Sequence, residues 1–407
     1  MATVTIERLG HLGDGIAPGP IYAPRVLPGE QVTGEINGDR MSAPKILQPS
    51  HHRVSALCRH YKVCGGCAVQ HASDDFVSIW KADIVERALA SHGLRSTIRK
   101  ISTSPLSSRR RAVLSGRRTK KSATVGFHAT ASDIIHEIPD CRILTSSLVG
   151  ALPVLKDITR IGATRKSELR LAVTDTESGI DLSVHTGRSL DMDLRQQLAA
   201  IAEQNGLARI TWDNEIVAQS CEPILKIGTS PVPIPPGAFL QATSEGEAAL
   251  ISSVEEALGP TKSVADLFAG CGTFALSLAQ MMDVHAVESD AASLHALDAG
   301  WRHSTRTKLV TTEKRDLFRR PLTPDELQRF EGVVIDPPRA GVQSQAEQLA
   351  NSGIGRIAAV SCNPVTFARD AAILTKSGYR LIWVDIVDQF RWSAHVELVG
   401  AFERATT

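Results

Sequence analysis

No run of about 18 apolar residues, the length a membrane-spanning helix needs, occurs in the 407-residue chain. The opening residues, MATVTIERLGHLGDG, lack the apolar stretch of a secretory signal. Membrane insertion and export are therefore set aside, and a cytoplasmic location is expected. Cysteine is scarce. Seven in 407 residues argue against a disulfide framework and toward metal binding or catalysis. Internal repeats and low-complexity tails are also missing.

What is present suffices for two or three domains with their own cores. The net charge of +1 hides a division: residues 51–121 hold 15 Lys/Arg and 4 Asp/Glu, a local +11, so the remainder carries −10. The densest part is RRRAVLSGRRTKK, residues 109–121. Such a run either attracts a phosphate backbone or is a solvated hairpin face.

Residues 1–50 alternate short apolar runs with Gly and Pro, which predicts a small β-barrel. Residues 51–75 are cysteine-rich and loop-like, and 76–93 read as an amphipathic helix. Strand-like runs dominate from 97 to about 230, with one helix near 193–205. A proline-rich junction, SPVPIPPGAF, precedes a change of texture. Beyond it, a helix over 243–258 leads into apolar β-type runs separated by helical stretches. That alternation predicts an α/β fold with a doubly wound parallel sheet.

The stretch VADLFAGCGTFAL, residues 264–276, reads as strand, glycine turn and helix start. Gly270 and Gly272 would let backbone approach a ligand. Glu288 ends the next strand, where a carboxylate can accept both hydroxyls of a ribose. NAD is one candidate, because Ala275 in the third-glycine place is tolerated. Asp266 would repel its diphosphate, whereas the amino-acid end of S-adenosylmethionine would welcome an acid.

Farther on, VVIDPPRAGV (333–342) and SCNP (361–364) each end an apolar strand in a polar, proline-bearing loop. Asp336 and Cys362 should emerge side by side at the carboxyl edge of the sheet, facing the ligand crevice. A free cysteine is usually a packing residue, but a polar loop is no core. Near the end, DQFRWSAHVELVG sets Glu397 two residues after His395, on one face of a probable strand. A thiolate, an acid and a methyl donor suggest one chemistry. Thiolate addition to C6 of uracil makes C5 nucleophilic, C5 takes the methyl group, and a carboxylate removes the C5 proton. Asp336 would hold the uracil edge.

DLFAGCGTFAL, DPPRAGV, VSCNPVTFARD and HVE, in this order and spacing, resemble the S-adenosylmethionine-dependent RNA uracil-5-methyltransferase family along nearly the whole chain. The resemblance implies Cys362 as nucleophile and Glu397 as base. It implies cofactor binding by Gln241, Phe268, Thr273, Glu288, Asp316 and Asp336. IERLGHLGDGIA and VLPGEQVTGEI resemble a TRAM domain, a small OB-like RNA-binding barrel. CRHYKVCGGC with the later IPDC resembles the family's iron–sulfur motif. On that basis Cys58, Cys64, Cys67 and Cys141 would hold a [4Fe–4S] cluster, although spacing alone slightly favours zinc.

The implied organisation is a TRAM-like barrel (1–50), a central α+β domain with the cluster and a basic RNA-facing segment (51–235), and a Rossmann-like catalytic domain (236–407). Members with these parts act on large-subunit ribosomal RNA, so 23S rRNA is the expected partner of a monomeric enzyme. A tRNA uridine is the alternative, and a non-catalytic iron–sulfur RNA-binding protein a third reading. Three positions depart from the family pattern: Thr243 for asparagine, Ser108 and Arg109 for a tyrosine context, and Arg391 for proline.

Overall fold

The computed structural model describes residues 1–405. Its C-terminal part is built on an eight-stranded sheet. The order is Val310–Lys314, Asp283–Glu288, Ser263–Leu267, Gly332–Ile335, Arg356–Ser361, Glu397–Arg404, Tyr379–Asp388 and Thr97–Thr103. The first five strands are mutually parallel, and Glu397–Arg404 runs against both neighbours. Strand alternation assigns side chains to two cores. Val264, Val334 and Ala358 face helices Ser244–Leu258 and Ala291–Arg302. Leu267, Val333, Ile335 and Ile357 face Gln343–Ser352 and Pro364–Lys376. Burial on both faces is why these strands read as unbroken apolar runs.

Two departures bear on the expected architecture. Strand Thr97–Thr103 joins the far edge of this sheet rather than the middle one. Helix Asp74–Ala90 sends Val85 and Leu89 into the same core. Lys81 in that helix is fully buried and pairs with Asp388. Residues 74–103, which precede the middle sheet, are thus locked to the eight-stranded one.

The middle sheet has seven strands between Arg111 and Gln219, antiparallel except where Gly179–His185 meets Arg209–Trp212. Helices Leu152–Gly162 and Met192–Gln204 contribute to its core. At the N-terminus, a three-stranded and a five-stranded sheet share a core of Ile6, Ala17, Ala23, Val26, Val32 and Met41. Among the described residues no helix is long and apolar enough to cross a membrane.

Candidate active site

A cavity of about 750 Å³ opens at the carboxyl edge of the parallel strands. Gln241, Phe268, Glu288, Asp316, Asp336, Cys362 and Glu397 all line it. Asp336 and Cys362 follow adjacent parallel strands, and Glu397 begins the antiparallel strand beside Cys362's own. Three consecutive strands therefore deliver one acid, one thiol and a second acid to one wall.

The glycine turn divides its labour. A Cβ on Gly270 would meet nothing within 4 Å, whereas one on Gly272 would strike Leu297 and Leu276 at 2.8 and 2.9 Å. Gly270 is therefore open to a ligand, while Gly272 lets the turn pack on the helices below. Thr273 stands in the same turn, one residue beyond Gly272, and is not itself a wall of the cavity. Asp266 is fully buried and also off the wall, so it does not greet a ligand. Both its carboxyl oxygens lack a hydrogen-bond partner. Burial first, then Asp336, pushes it up to about 8, so it is kept largely neutral. Phe268 adopts φ 66°, a left-handed conformation uncommon outside glycine, and its ring meets Phe318 at 5.3 Å. Glu288 is fixed by N–H donors from Gly270 at 3.1 Å and from Ser289 and Asp290 at 2.6 and 2.9 Å.

Charged forms are disfavoured at the reacting end. Burial raises Asp336 to about 7. Burial, then Asp336, raises Glu397 to about 8, with Gln389 opposing. Burial, then Glu397 and Asp336, raises the Cys362 thiol to about 11, and Arg339 pulls it down in part. Five carboxyl groups, those of Glu288, Asp290, Asp316, Asp336 and Glu397, face only two guanidiniums, Arg315 and Arg339, in this cavity. Arg315 is already paired with Glu313 and Glu326. Apart from the raised pair Asp336 and Glu397, the carboxyls of Glu288, Asp290 and Asp316 make a wall that suits a cation and opposes a diphosphate.

Residues not singled out from sequence complete the site. Gln389 accepts the Ala242 N–H at 2.7 Å. Its amide nitrogen donates to Gln241 Oε1 and to Glu397 Oε2, both at 2.6 Å. The proline-rich junction supplies Pro235, Pro236 and an exposed Phe239. His395 does not share a strand face with Glu397: the strand starts at Glu397, and His395 faces a second cleft.

Two departures from the family pattern, Thr243 and Arg391, make internal contacts. Thr243 caps helix Ser244–Leu258 by accepting the Gly246 N–H at 3.0 Å and meets Ser104 Oγ at 2.7 Å. Arg391 pairs with Asp74 and donates to the Ser104 carbonyl. Arg109 is a wall of the cysteine cavity. The basic run likewise splits. Arg110 is buried against Glu247 at 2.6 Å, so it is an internal tie and not part of an RNA-facing surface. Arg118, Lys120 and Lys121 are exposed.

Cys58, Cys64, Cys67 and Cys141 line one small cavity with Tyr61 and Arg109. Burial raises Cys64 and Cys141, and pushes Cys67 up to about 12. No group of three or more His, Cys, Asp or Glu side chains that could hold a metal ion is formed among the described residues.

Comparison with known proteins bears on these observations. A family profile described as tRNA (Uracil-5-)-methyltransferase matches residues 234–404. An uncharacterized RNA methyltransferase of Brucella suis biovar 1 is 42% identical, over 98% of this chain and 97% of its own length. The 23S rRNA (uracil(1939)-C(5))-methyltransferase RlmD of Vibrio vulnificus is 30% identical, over 98% of this chain and 96% of its own. Among solved structures, the Pyrococcus abyssi tRNA (uracil-54, C5)-methyltransferase in complex with S-adenosyl-L-homocysteine is similar in fold. It has a TM-score of 0.77 and 22% identity, with 98% of this chain and 99% of that one covered.

Proposed function

The chain belongs to the RNA uracil-5-methyltransferase family and is an S-adenosylmethionine-dependent enzyme acting on RNA; from that premise we propose that it methylates C5 of a uridine in 23S rRNA through Cys362 and Glu397. One observation carries the mechanism: a single acidic cavity gathers the glycine turn, Asp336, Cys362 and Glu397. Gln241, Phe268, Glu288 and Asp316 would hold the cofactor, with Gly270 leaving room for it. S-adenosylmethionine supplies a methyl group on a cationic sulfonium, and the surplus of carboxyl groups suits that charge.

The Cys362 thiol gives up its proton to solvent, its sulfur forms a bond to C6, and the C5–C6 π electrons move to C5 and the O4 enolate. Asp336 holds the uracil edge. Once C5 is methylated, Glu397 takes the C5 proton, and the returning electron pair breaks the C6–S bond. Similarity to the Vibrio 23S rRNA enzyme favours ribosomal RNA. The tRNA reading has support from the family profile and the Pyrococcus fold.

We extend the proposal to the rest of the chain. The division is a TRAM-like barrel over 1–50, a central unit over 51–235 that lends helix Asp74–Ala90 and strand Thr97–Thr103 to the eight-stranded sheet and its core, and a catalytic unit over 236–407, working as a monomer in the cytoplasm. Cys58, Cys64, Cys67 and Cys141 would hold a [4Fe–4S] cluster, which would staple a segment with little regular structure. The choice of iron over zinc rests on the resemblance of CRHYKVCGGC and IPDC to the family's iron–sulfur motif.

The test uses unmodified 23S rRNA and tRNA transcripts with methyl-labelled donor, and the modified nucleotide is mapped by mass. Glu397→Gln should stall after methyl transfer. It should accumulate a labelled protein–RNA adduct that survives denaturing electrophoresis and is absent from the Cys362→Ala, Glu397→Gln double variant. An inactive Glu397→Gln enzyme without labelled adduct would falsify the role of Glu397.

A further inference from the structure

A second cleft, of about 370 Å³, lies on the other side of Cys362 and has no part in the chemistry above. Cys362 and Arg339 are walls of both spaces. The cleft is bounded by the N-terminal barrel through Arg8, His11 and Leu12, by helix Asp74–Ala90, and by the start of helix Pro364–Lys376.

The two spaces differ in sign. The catalytic cavity has its surplus of carboxyls, whereas Arg8, Arg87 and Arg339 face one acid, Asp83, in the cleft. That acid is already paired with Arg87 at 2.7 Å, so Arg8 and Arg339 meet no free carboxylate there. The N-terminus of the thirteen-residue helix Pro364–Lys376 adds positive potential to the same space. Apolar surface faces it too: Leu12 on the barrel and Val365 on the helix are 69% and 65% exposed. Cations beside exposed apolar walls are the combination that takes a phosphodiester and a base together.

We infer that this cleft binds the nucleotide adjoining the target uridine, so that the RNA backbone crosses between the two spaces at Cys362 and Arg339. The inference rests on the proposed RNA reading and deepens it. A uracil held against Cys362 from the acidic side must leave its own phosphate near that residue, and the cleft is the basic space that begins there. The barrel thereby contributes directly to substrate placement, with Arg8 and His11 on its wall as the residues that hold the phosphate. Polynucleotide substrate is bound on both sides of the nucleophile, while the methyl donor is bound on one.

The test is a pair of variants, Arg8→Ala with His11→Ala, and Leu12→Asp with Val365→Asp, both at exposed positions. Methyl transfer is measured on whichever unmodified transcript, 23S rRNA or tRNA, the wild-type enzyme methylates. Arg165→Ala with Lys166→Ala, on a turn lining neither space, controls for the removal of charge. The expected result is a rise of about tenfold or more in KM for RNA, with KM for the donor unchanged. The first variant should also flatten the log–log salt dependence of RNA binding by roughly 0.7 for each phosphate it no longer neutralises, and Arg8→Lys should restore most of it. Unchanged KM for RNA in both variants, with the wild type active, overturns the cleft and leaves the methyltransferase reading standing. So does a change confined to oligomeric state, which would mark the cleft as a protein-docking face. A wild type that methylates neither transcript overturns the RNA reading and the cleft with it.

Discussion

Cys362 and Cys67 are both thiols that burial makes hard to ionise, one pushed up to about 11 and the other to about 12. Their scaffolds are opposite. Cys362 follows a strand paired on both sides within an eight-stranded sheet. Cys67 sits in 49–73, which has no helix or strand and only isolated bridges. Side chains order that segment instead: Tyr61 donates to the Ala68 carbonyl at 2.6 Å, and Gln70 accepts the Cys58 N–H at 3.2 Å. A sheet can hold a reactive group in place with nothing bound. A loop that carries three of four clustered thiols gains most from a ligand that ionises and ties them together.

Mutating each thiol should break the comparison open. Cys362→Ala should lower turnover by at least about 100-fold, roughly 2.7 kcal/mol of barrier, with melting temperature and donor affinity unchanged. Cys67→Ser should do the reverse, lowering the melting temperature by several degrees and opening 49–73 to protease. Anaerobically purified wild type should contain about four irons per chain, the count of a [4Fe–4S] centre, and the Cys67→Ser protein should contain less. Unchanged stability and iron content after Cys67→Ser, or stoichiometric zinc in the wild type, would remove the stapling role.

The basic run carries the contrast to smaller effects. Arg110→Ala leaves Glu247 buried without its partner, and burial already raises that carboxyl. Breaking such a pair costs about 3–5 kcal/mol, so a clear fall in thermal stability is expected. Replacing Arg118, Lys120 and Lys121 by alanine should leave stability alone. It should lower the salt slope of RNA binding by up to roughly 0.7 for each phosphate left without its cation. If both variants behave alike in a melting scan and a salt titration, the run has no internal half.

That split shows where sequence reading succeeds and where it stops. Asp336 and Cys362 were legible because each ends an apolar run in a polar, proline-bearing loop, and parallel sheets place ligands there. Arg110 was not: a run of arginines shows charge but not that one of them turns inward to Glu247. Helix Leu152–Gly162 was hidden by Val154, Ile158, Thr159 and Ile161, β-branched residues that suit strands equally well. Thr273 and Gly272 lie in a motif whose spacing is plain, but their surroundings depend on helices beyond the motif. Gln389 gave no signal, since a glutamine between Asp388 and Phe390 looks like any polar residue at a strand end.

Gln389 is also where the two kinds of scaffold can be compared most finely. Its amide nitrogen donates to Glu397 and to Gln241, and its carbonyl accepts from Ala242. One side chain thus joins the proposed base to the proposed donor-binding residue. Burial and Asp336 raise Glu397, and the Gln389 bond works against them. Removing the bond should raise Glu397 above its value of about 8. A base acts when deprotonated, so the acidic limb of the kcat/KM profile should move to higher pH in Gln389→Leu. Activity lost near neutrality should be partly recovered above the shifted value. Gln389→Glu should move the limb the same way when ionised, because it sets a like charge beside Glu397. Glu397→Gln should show no recovery at any pH. A Gln389→Leu enzyme with a uniformly lowered profile and an unmoved limb would reduce Gln389 to a packing residue. A moved limb with unchanged donor KM would make it a positioning residue for Glu397 alone, uncoupled from Gln241.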